Sequence, residues 1–501
     1  MHRYKRPAVL AAAYLGTFLA SLDISIVNLA LPSLQNALAT DLGGLQWVVS
    51  IYAVALSAFM LSAGPVADRY GHKRAWLTGV ALFTTGSALC ALAEALPMLL
   101  FGRAVQGIAG ALLIPGAMPL ITHAFPEPRA RAHAIGGWSA FSALALVLGP
   151  LLGGVLLQHF GWQSIFLINL PLGGLALLLG AWGISERAHP QQAALDPWGQ
   201  LLSVCCLGAL SYGLIRAGES GFAAPAPSLA IGLALIALLA LIAVEKRVAR
   251  PLVPLDLFRD RRFAVSNLAS WVLGFSSYSS LFFFSLFLQQ AQALSATESG
   301  LRMMPTFIAS GALSLMFGRL QRHFALEHLL AWGYGLIGMA MTAMALLSAN
   351  TPYWPLLLCF VTLGLGMGLA VPATGLVVMN AVPASRAGIA SATMNALRQT
   401  GMSLGIALLG SLMSLRATAE LTRLLTVAGV DDAAALAQQA VAEHPLSSAT
   451  PLFAQAYATA MAAGFNLAML AAGLCSLGCA VLLQRQLPVP SASATNERAQ
   501  G

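Results

Sequence analysis

The sequence predicts an all-α membrane protein of about fourteen transmembrane helices, arranged as two parallel six-helix repeats with two helices inserted between them. Composition points there first. Of 501 residues, 58% are hydrophobic and only 9% charged, with a mean hydropathy of +0.78, whereas soluble domains carry roughly a quarter charged residues. A chain this apolar needs lipid as its solvent. Second, apolar segments of about twenty residues, the length that crosses a bilayer core, follow one another almost without a break. Third, the residues around the fourth and twelfth segments repeat in register.

In chain order, the first six expected spans are Ala8 to Asn28, Gln46 to Val66, Ala75 to Ala95, Pro97 to His123, Ile135 to Leu157 and Ser164 to Ile184. Two more follow, Trp198 to Arg216 and Ser228 to Val244. The last six are Phe263 to Leu288, Gly300 to Leu320, Glu327 to Leu347, Trp354 to Val378, Gly388 to Leu412 and Tyr457 to Leu483. Arg3, Lys5 and Arg6 ahead of the first apolar run look like the start of a secretory signal. The run continues past Ser21 and Asp23 to Leu31, however, and similar segments follow, so it reads as a first membrane helix. The expected organisation is a six-helix half over 1–190, the inserted pair over 191–250 and a basic, proline-broken linker over 251–262. A second half covers 263–485 with an outer loop at 414–456, and a tail covers 486–501.

Lysine and arginine are retained on the cytoplasmic side of membrane proteins. With the N-terminus inside, twenty of the 26 basic residues fall in inner loops, which puts both termini in the cytoplasm and the chain, multi-pass, in the plasma (inner) membrane. The net charge of +8 does not indicate nucleic acid, because the basic residues are scattered through short loops and form no continuous face. All six cysteines lie in apolar stretches, which argues against disulfides or a zinc site. There is no phosphate-binding glycine loop, no histidine pair one helical turn apart and no Gly-x-Ser-x-Gly elbow. An enzyme is therefore not expected, and no cofactor; energy comes from an ion gradient.

The repeat is LLFGRAVQGIAGALLIPGAMPLITHAFPEPRARA against LLCFVTLGLGMGLAVPATGLVVMNAVPASRAGIA. Gly107 and Gly364, Pro115 and Pro372, Pro126 and Pro383, and Arg129 and Arg386 are each 257 residues apart. Eight helices, an even number, separate the copies, so the halves are parallel and related by an axis along the membrane normal.

The loop after the second span, GPVADRYGHKR, carries Gly64, Asp68, Arg69, Gly71 and Arg74; the fifth span contains LALVLGPLLGG with Gly149, Pro150, Gly153 and Gly154. Glycines permit tight turns and close helix packing, and a proline removes a backbone donor and bends a helix. These residues resemble the signatures of the major facilitator superfamily and, within it, of the fourteen-spanner drug/proton antiporter branch. The resemblance implies the major facilitator fold, a conformational latch at the first motif and an antiporter element at the second. LDISIVNLALP and GWQSIFLINLP are similar to further motifs of that branch, with Asn28, Pro32, Asn169 and Pro171 read as mainly architectural.

Of eighteen acidic residues only Asp23 lies clearly inside a span, and a carboxylate there is by default functional. Its expected partner is Arg103, in LLFGRAVQG, which resembles the family's proton-transfer motif. Asp23 lies about 23 Å along its helix, leaving roughly 7 Å of a 30 Å core, and Arg103 about 9 Å down from the same side. The two belong to one outer-half cavity; contact does not follow from depth alone. At the repeat offset Arg103 corresponds to Phe360 and Asp23 to about Ser280, so the scaffold recurs and the charges do not. The first half is expected to handle protons. The substrate cavity is expected to include Tyr52, Gln106, Trp271, Phe275, Tyr278, Phe282 and Asn395. Arg398 is read as snorkelling or bonding to Asn395. The second latch, FGRLQRHFALEH, is degenerate, with Arg322 in the place of Asp68.

The function this implies is proton-coupled export of lipophilic or amphipathic small molecules by alternating access, with lipid, protons and substrate as partners. Neutral, weakly acidic or monocationic substrates are favoured because no second fixed carboxylate is present. Export of a metabolite such as a fatty acid or siderophore, proton-coupled import, and a non-transporting sensor are the alternatives. The resemblance leaves a periplasmic adaptor and outer-membrane channel open as further partners.

Overall fold

The structure, a computed structural model, describes residues 6–186, 196–248, 255–383, 386–443 and 451–487, and all regular structure among them is helical. The expected boundaries near 190 and 250, the linker residues 251–254 and the tail from 488 onward lie outside the described residues, as do Arg3, Lys5, Arg187, Arg250 and Arg498.

Six long helices form the first half: α1 (Arg6–Ala37), α2 (Leu42–Tyr70), α3 (His72–Ala91), α4 (Leu96–Ala124), α5 (Pro128–Phe160) and α6 (Ser164–Gly183). The inserted pair is α7 (Pro197–Ser220) and α8 (Pro225–Glu245). The second half comprises α9 (Arg261–Ala291), α10 (Ala296–Leu320), α11 (Leu326–Met344), α12 (Tyr353–Asn380), α13 (Ala387–Val427) and α14 (Pro451–Gln486). Eleven helices among the described residues are long and apolar enough to cross a membrane, and α3, α5 and α11 stand where the other expected spans were placed.

The repeat is realised as packing. A Cβ on Gly107 of α4 would lie 2.5 Å from the Tyr52 carbonyl and 2.7 Å from Ala55 on α2. A Cβ on Gly364 of α12 would lie 2.2 Å from the Thr306 carbonyl and 2.9 Å from Ala309 on α10. In each half the fourth helix thus seats a bare glycine on the backbone of the second, which is why those positions survive in register.

Two expected boundaries change. α1 continues through Pro32 to Ala37, because the Asn28 amide donates to Ile24 O at 2.6 Å along its own helix and so does not break it. The segment expected as an outer loop, 414–456, is mostly helix among its described residues. α13 runs on to Val427, holding Ala417, Leu421 and Leu425 buried at four-residue spacing, while Glu420 pairs with Arg416 at 3.6 Å and with Arg423 at 2.5 Å. A second helix, Ala433–Glu443, follows.

The halves meet at one end of the bundle, where the α1–α2, α5–α6 and α9–α10 turns lie. There Gln289 Nε2 donates to Leu29 O at 3.0 Å, Gln290 Nε2 to Gln35 Oε1 at 2.9 Å and Thr297 Oγ1 to Gln158 Oε1 at 2.7 Å. α5 and α10 touch backbone to backbone: a Cβ on Gly154 would sit 2.7 Å from Thr297 Cα, and one on Gly300 2.3 Å from the Pro150 carbonyl. Midway along, Ser57 of α2 bonds Thr400 and the Ala396 carbonyl of α13. Further on, Gly64 of α2 faces open space. α7 seats on α13 through Ser211 and Ser403 and on α2 through Gln200 and Ser62, whereas α8 presents Leu229, Leu233 and Ile236 outward, the face a bilayer covers.

Candidate functional site

Asp23 and Arg103 are in direct contact, which their depths alone did not require. Both are enclosed, 0% and 1% exposed, and Arg103 Nη1 donates to Asp23 Oδ2 at 2.5 Å. The same nitrogen donates to Gln106 Oε1 at 2.8 Å, and Arg103 Nε donates to the Val48 carbonyl at 3.0 Å. Gln106 closes the ring by donating to Asp23 Oδ1 at 3.1 Å and to Ser87 Oγ at 2.8 Å. Tyr52 lies flat beneath the guanidinium, 4.5 Å from ring centroid to carbon, a cation–π contact made stronger by the absence of water.

Five helices of the first half build this cluster. α1 supplies Asp23, α2 Tyr52 and Val48 O, α3 Ser87 and Cys90, α4 Arg103 and Gln106, and α6 Asn169, whose amide donates to Ser87 Oγ at 3.2 Å. The three-residue spacing of Arg103 and Gln106 puts both on one face of α4. A buried ion pair holds only where its remaining donors and acceptors are also met, and here the second carboxylate oxygen and the second guanidinium edge both are. Tyr52 and Gln106, expected to line the substrate cavity, are instead 1% and 0% exposed members of this shell. Asn169, read as architectural, anchors it. Cys90 Sγ approaches Gln106 Oε1 at 3.6 Å, a contact with no signal in the sequence.

The expected antiporter element packs on the same helix as Asp23. A Cβ on Gly149 would overlap Ser25 of α1, one on Gly153 would lie 2.9 Å from Ile26, and Gly154 and the Pro150 carbonyl face α10. One stretch of α5 therefore contacts both α1, two residues beyond the carboxylate, and the seam between the halves.

At the expected latch, Gly71 has φ +104° and links α2 to α3, a conformation that favours glycine. Asp68 bonds His72 Nε2 at 3.1 Å. The start of α3 is capped by Glu186, beyond the end of α6, which accepts from the backbone amides of Lys73 at 3.1 Å and Arg74 at 3.2 Å. Glu186 was not singled out from the sequence, since no local pattern links it to a helix start more than a hundred residues earlier. Arg69 is exposed against Tyr70, and a Cβ on Gly64 would have no neighbour within 4 Å.

In the second half, Trp271 stacks on Phe275 with centroids 5.1 Å apart, and Tyr278 lies under Arg398 at 5.9 Å. Trp271, Tyr278 and Asn395 are half-buried. Phe282, expected on the cavity wall, is 0% exposed and packs edge-on to Phe283 in the core. The Asn395 Nδ2 donates to the Ser391 carbonyl of its own helix. Among the described residues no group of three or more His, Cys, Asp or Glu is placed to hold a metal.

The sequence profile described as Major Facilitator Superfamily matches residues 13–406. The chain is 35% identical over 412 residues to the methylenomycin A resistance protein of Bacillus subtilis (strain 168), covering 82% of this chain and 88% of that protein. It is 35% identical over 409 residues to the multidrug resistance protein Stp of Mycobacterium tuberculosis (strain CDC 1551 / Oshkosh), covering 81% and 75%. In fold it is similar to the crystal structure of an auto-inhibited POT family peptide transporter, with a TM-score of 0.66 at 14% identity, covering 96% of each chain.

Proposed function

Since this chain belongs to the Major Facilitator Superfamily, and is thus a multi-pass membrane transporter and not an enzyme, we propose that it is a proton-coupled exporter of lipophilic or amphipathic small molecules, crossing the plasma membrane fourteen times with both termini cytoplasmic. Export is supported by relatives that are named antibiotic and multidrug resistance proteins. The observation that carries proton coupling is the Asp23–Arg103 pair, enclosed in the first half.

In this reading Asp23 is the proton carrier and Arg103 its counter-charge. With Asp23 ionised the pair is neutral overall and stable in a dry site. Protonating Asp23 leaves Arg103 charged, so the hydrogen-bonded ring loosens and α1 shifts against α4 and α5. Gly149 and Gly153 carry that movement to the seam with α10. With the N-terminus inside, the end where the halves meet faces outward, and substrate enters from the cytoplasmic end in this reading. Proton binding from the outer side and substrate release to it then alternate with that entry. The latch at Asp68, Gly71 and Arg74 holds α2 against α3 at the cytoplasmic end and sets the balance between the two states. Substrate, protons and lipid suffice as partners, and the energy source is the proton gradient, with no cofactor.

The test is transport in proteoliposomes with a lipophilic fluorescent dye. Asp23→Asn protein, shown by its elution profile to be folded, is expected to lose dye-dependent proton flux entirely while retaining dye binding. Retained coupled flux would overturn the assignment.

A further inference from the structure

We infer that Arg398 is the anchor of a substrate subsite for lipophilic monoanions, carboxylates above all, in the second half of the protein. This deepens the export reading, on which it rests only for the bound anion's being cargo.

The contrast with Arg103 carries the argument. Arg103 has an acceptor on each edge of its guanidinium. Arg398 has none. Its Nε and Nη2 are enclosed by the protein and bond to no acceptor, and no carboxylate among the described residues pairs with it. It sits eleven residues into α13, about 16 Å along the axis and so near the middle of a 30 Å core. An uncompensated cation at that depth is expensive, and enclosed donors without acceptors add a further cost.

The local backbone shows that the position is built. α9 and α13 approach until a Cβ on Gly274 would lie 1.9 Å from the Arg398 carbonyl and one on Gly401 2.0 Å from the Trp271 carbonyl. At that crossing α9 widens into a π-helical turn over Gly274–Tyr278, with Ser279 N bonding Gly274 O at 3.1 Å, and such turns are frequent at functional sites. The turn brings Tyr278 beneath the guanidinium and leaves Trp271 and Tyr278 half-buried on one stripe. Two residues on, Thr400 bonds Ser57 of the first half. Arg398 is thus placed two residues from a direct contact between the halves.

A planar fork of donors matches a carboxylate bidentately, and the aromatic residues beside it suit a flat apolar body. A phosphate headgroup of an anionic lipid offers the same chemistry, so the test separates the two sources.

Full-length protein in zwitterionic nanodiscs is assayed by equilibrium dialysis, with no proton gradient, against 2-naphthoate and its methyl ester. The native protein is expected to prefer the acid by at least about tenfold, the range of a hydrogen bond to a charged group. Arg398→Gln is expected to bring the ratio to about one, and Arg398→Lys to restore part of it, which separates charge recognition from misfolding. The inference falls if the native protein shows no preference, if Arg398→Gln keeps it, or if adding phosphatidylglycerol abolishes it, which would make a lipid headgroup the occupant. Because the measurement needs no gradient, its failure is distinct from failure of the proton-flux test at Asp23.

Discussion

Arg103 reaches acceptors on three helices, Asp23 on α1, the Val48 carbonyl on α2 and Gln106 on α4. A lysine ammonium keeps the charge but not the fork. Arg103→Lys is therefore expected to lower stability by about 1–3 kcal/mol and to slow proton-coupled transport by more than about tenfold, read from thermal melts and flux on one preparation. Arg103→Ala leaves Asp23 buried without its partner and should cost about 3–5 kcal/mol. At this scale the sequence was informative about which residues matter and silent about how they touch. Charges are rare in membrane spans, so Asp23 and Arg103 stood out, and Arg398 with them. Neutral polar groups such as Gln106, Tyr52 and Ser87 carry no such signal, because helical periodicity gives a face and not a partner.

Among elements, α3 depends on a cap from outside its own segment. Removing the Glu186 carboxylate as Glu186→Ala should cost about 1 kcal/mol and raise hydrogen exchange in the first turn of α3 ahead of the rest of the half. The link between Asp256 and Arg386, beside the start of α9, behaves differently. The Arg386 hydrogen bond holds the Asp256 carboxyl below its ordinary value. A depressed carboxyl contributes stability above its unfolded value and loses it as pH falls through the lowered one. Melting temperatures of native and Asp256→Asn protein should therefore differ by a constant, small amount from about pH 5 upward. The helix spans were legible because length and hydropathy determine them. The continuation of α13 to Val427 was not, since Arg416, Glu420 and Arg423 read as loop charges until their spacing is seen to pair them along a helix. The π-helical turn in α9 has no composition that announces it.

For the whole molecule, alternating access as proposed requires the seam between the halves to open and close. A cysteine pair at Gln35→Cys and Gln290→Cys in a background without the six native cysteines should cross-link across the closed end and abolish dye transport, with reductant restoring it. Gly154→Val should act oppositely. Its side chain meets Thr297 in the closed seam, so a single cysteine at position 290 should react faster with an impermeant maleimide added outside. The two-half plan was readable because a duplicated glycine, Gly107 and Gly364, keeps the same backbone contact in both copies. Which residues meet across the seam was not, because that depends on side chains meeting across more than 130 residues of chain. The ring around Asp23 draws every one of its members, Val48, Tyr52, Ser87, Cys90, Gln106 and Asn169, from the first 190 residues. On the proposed reading, substitutions along α9 and α13 would change what is carried while leaving the carboxylate's own ring intact.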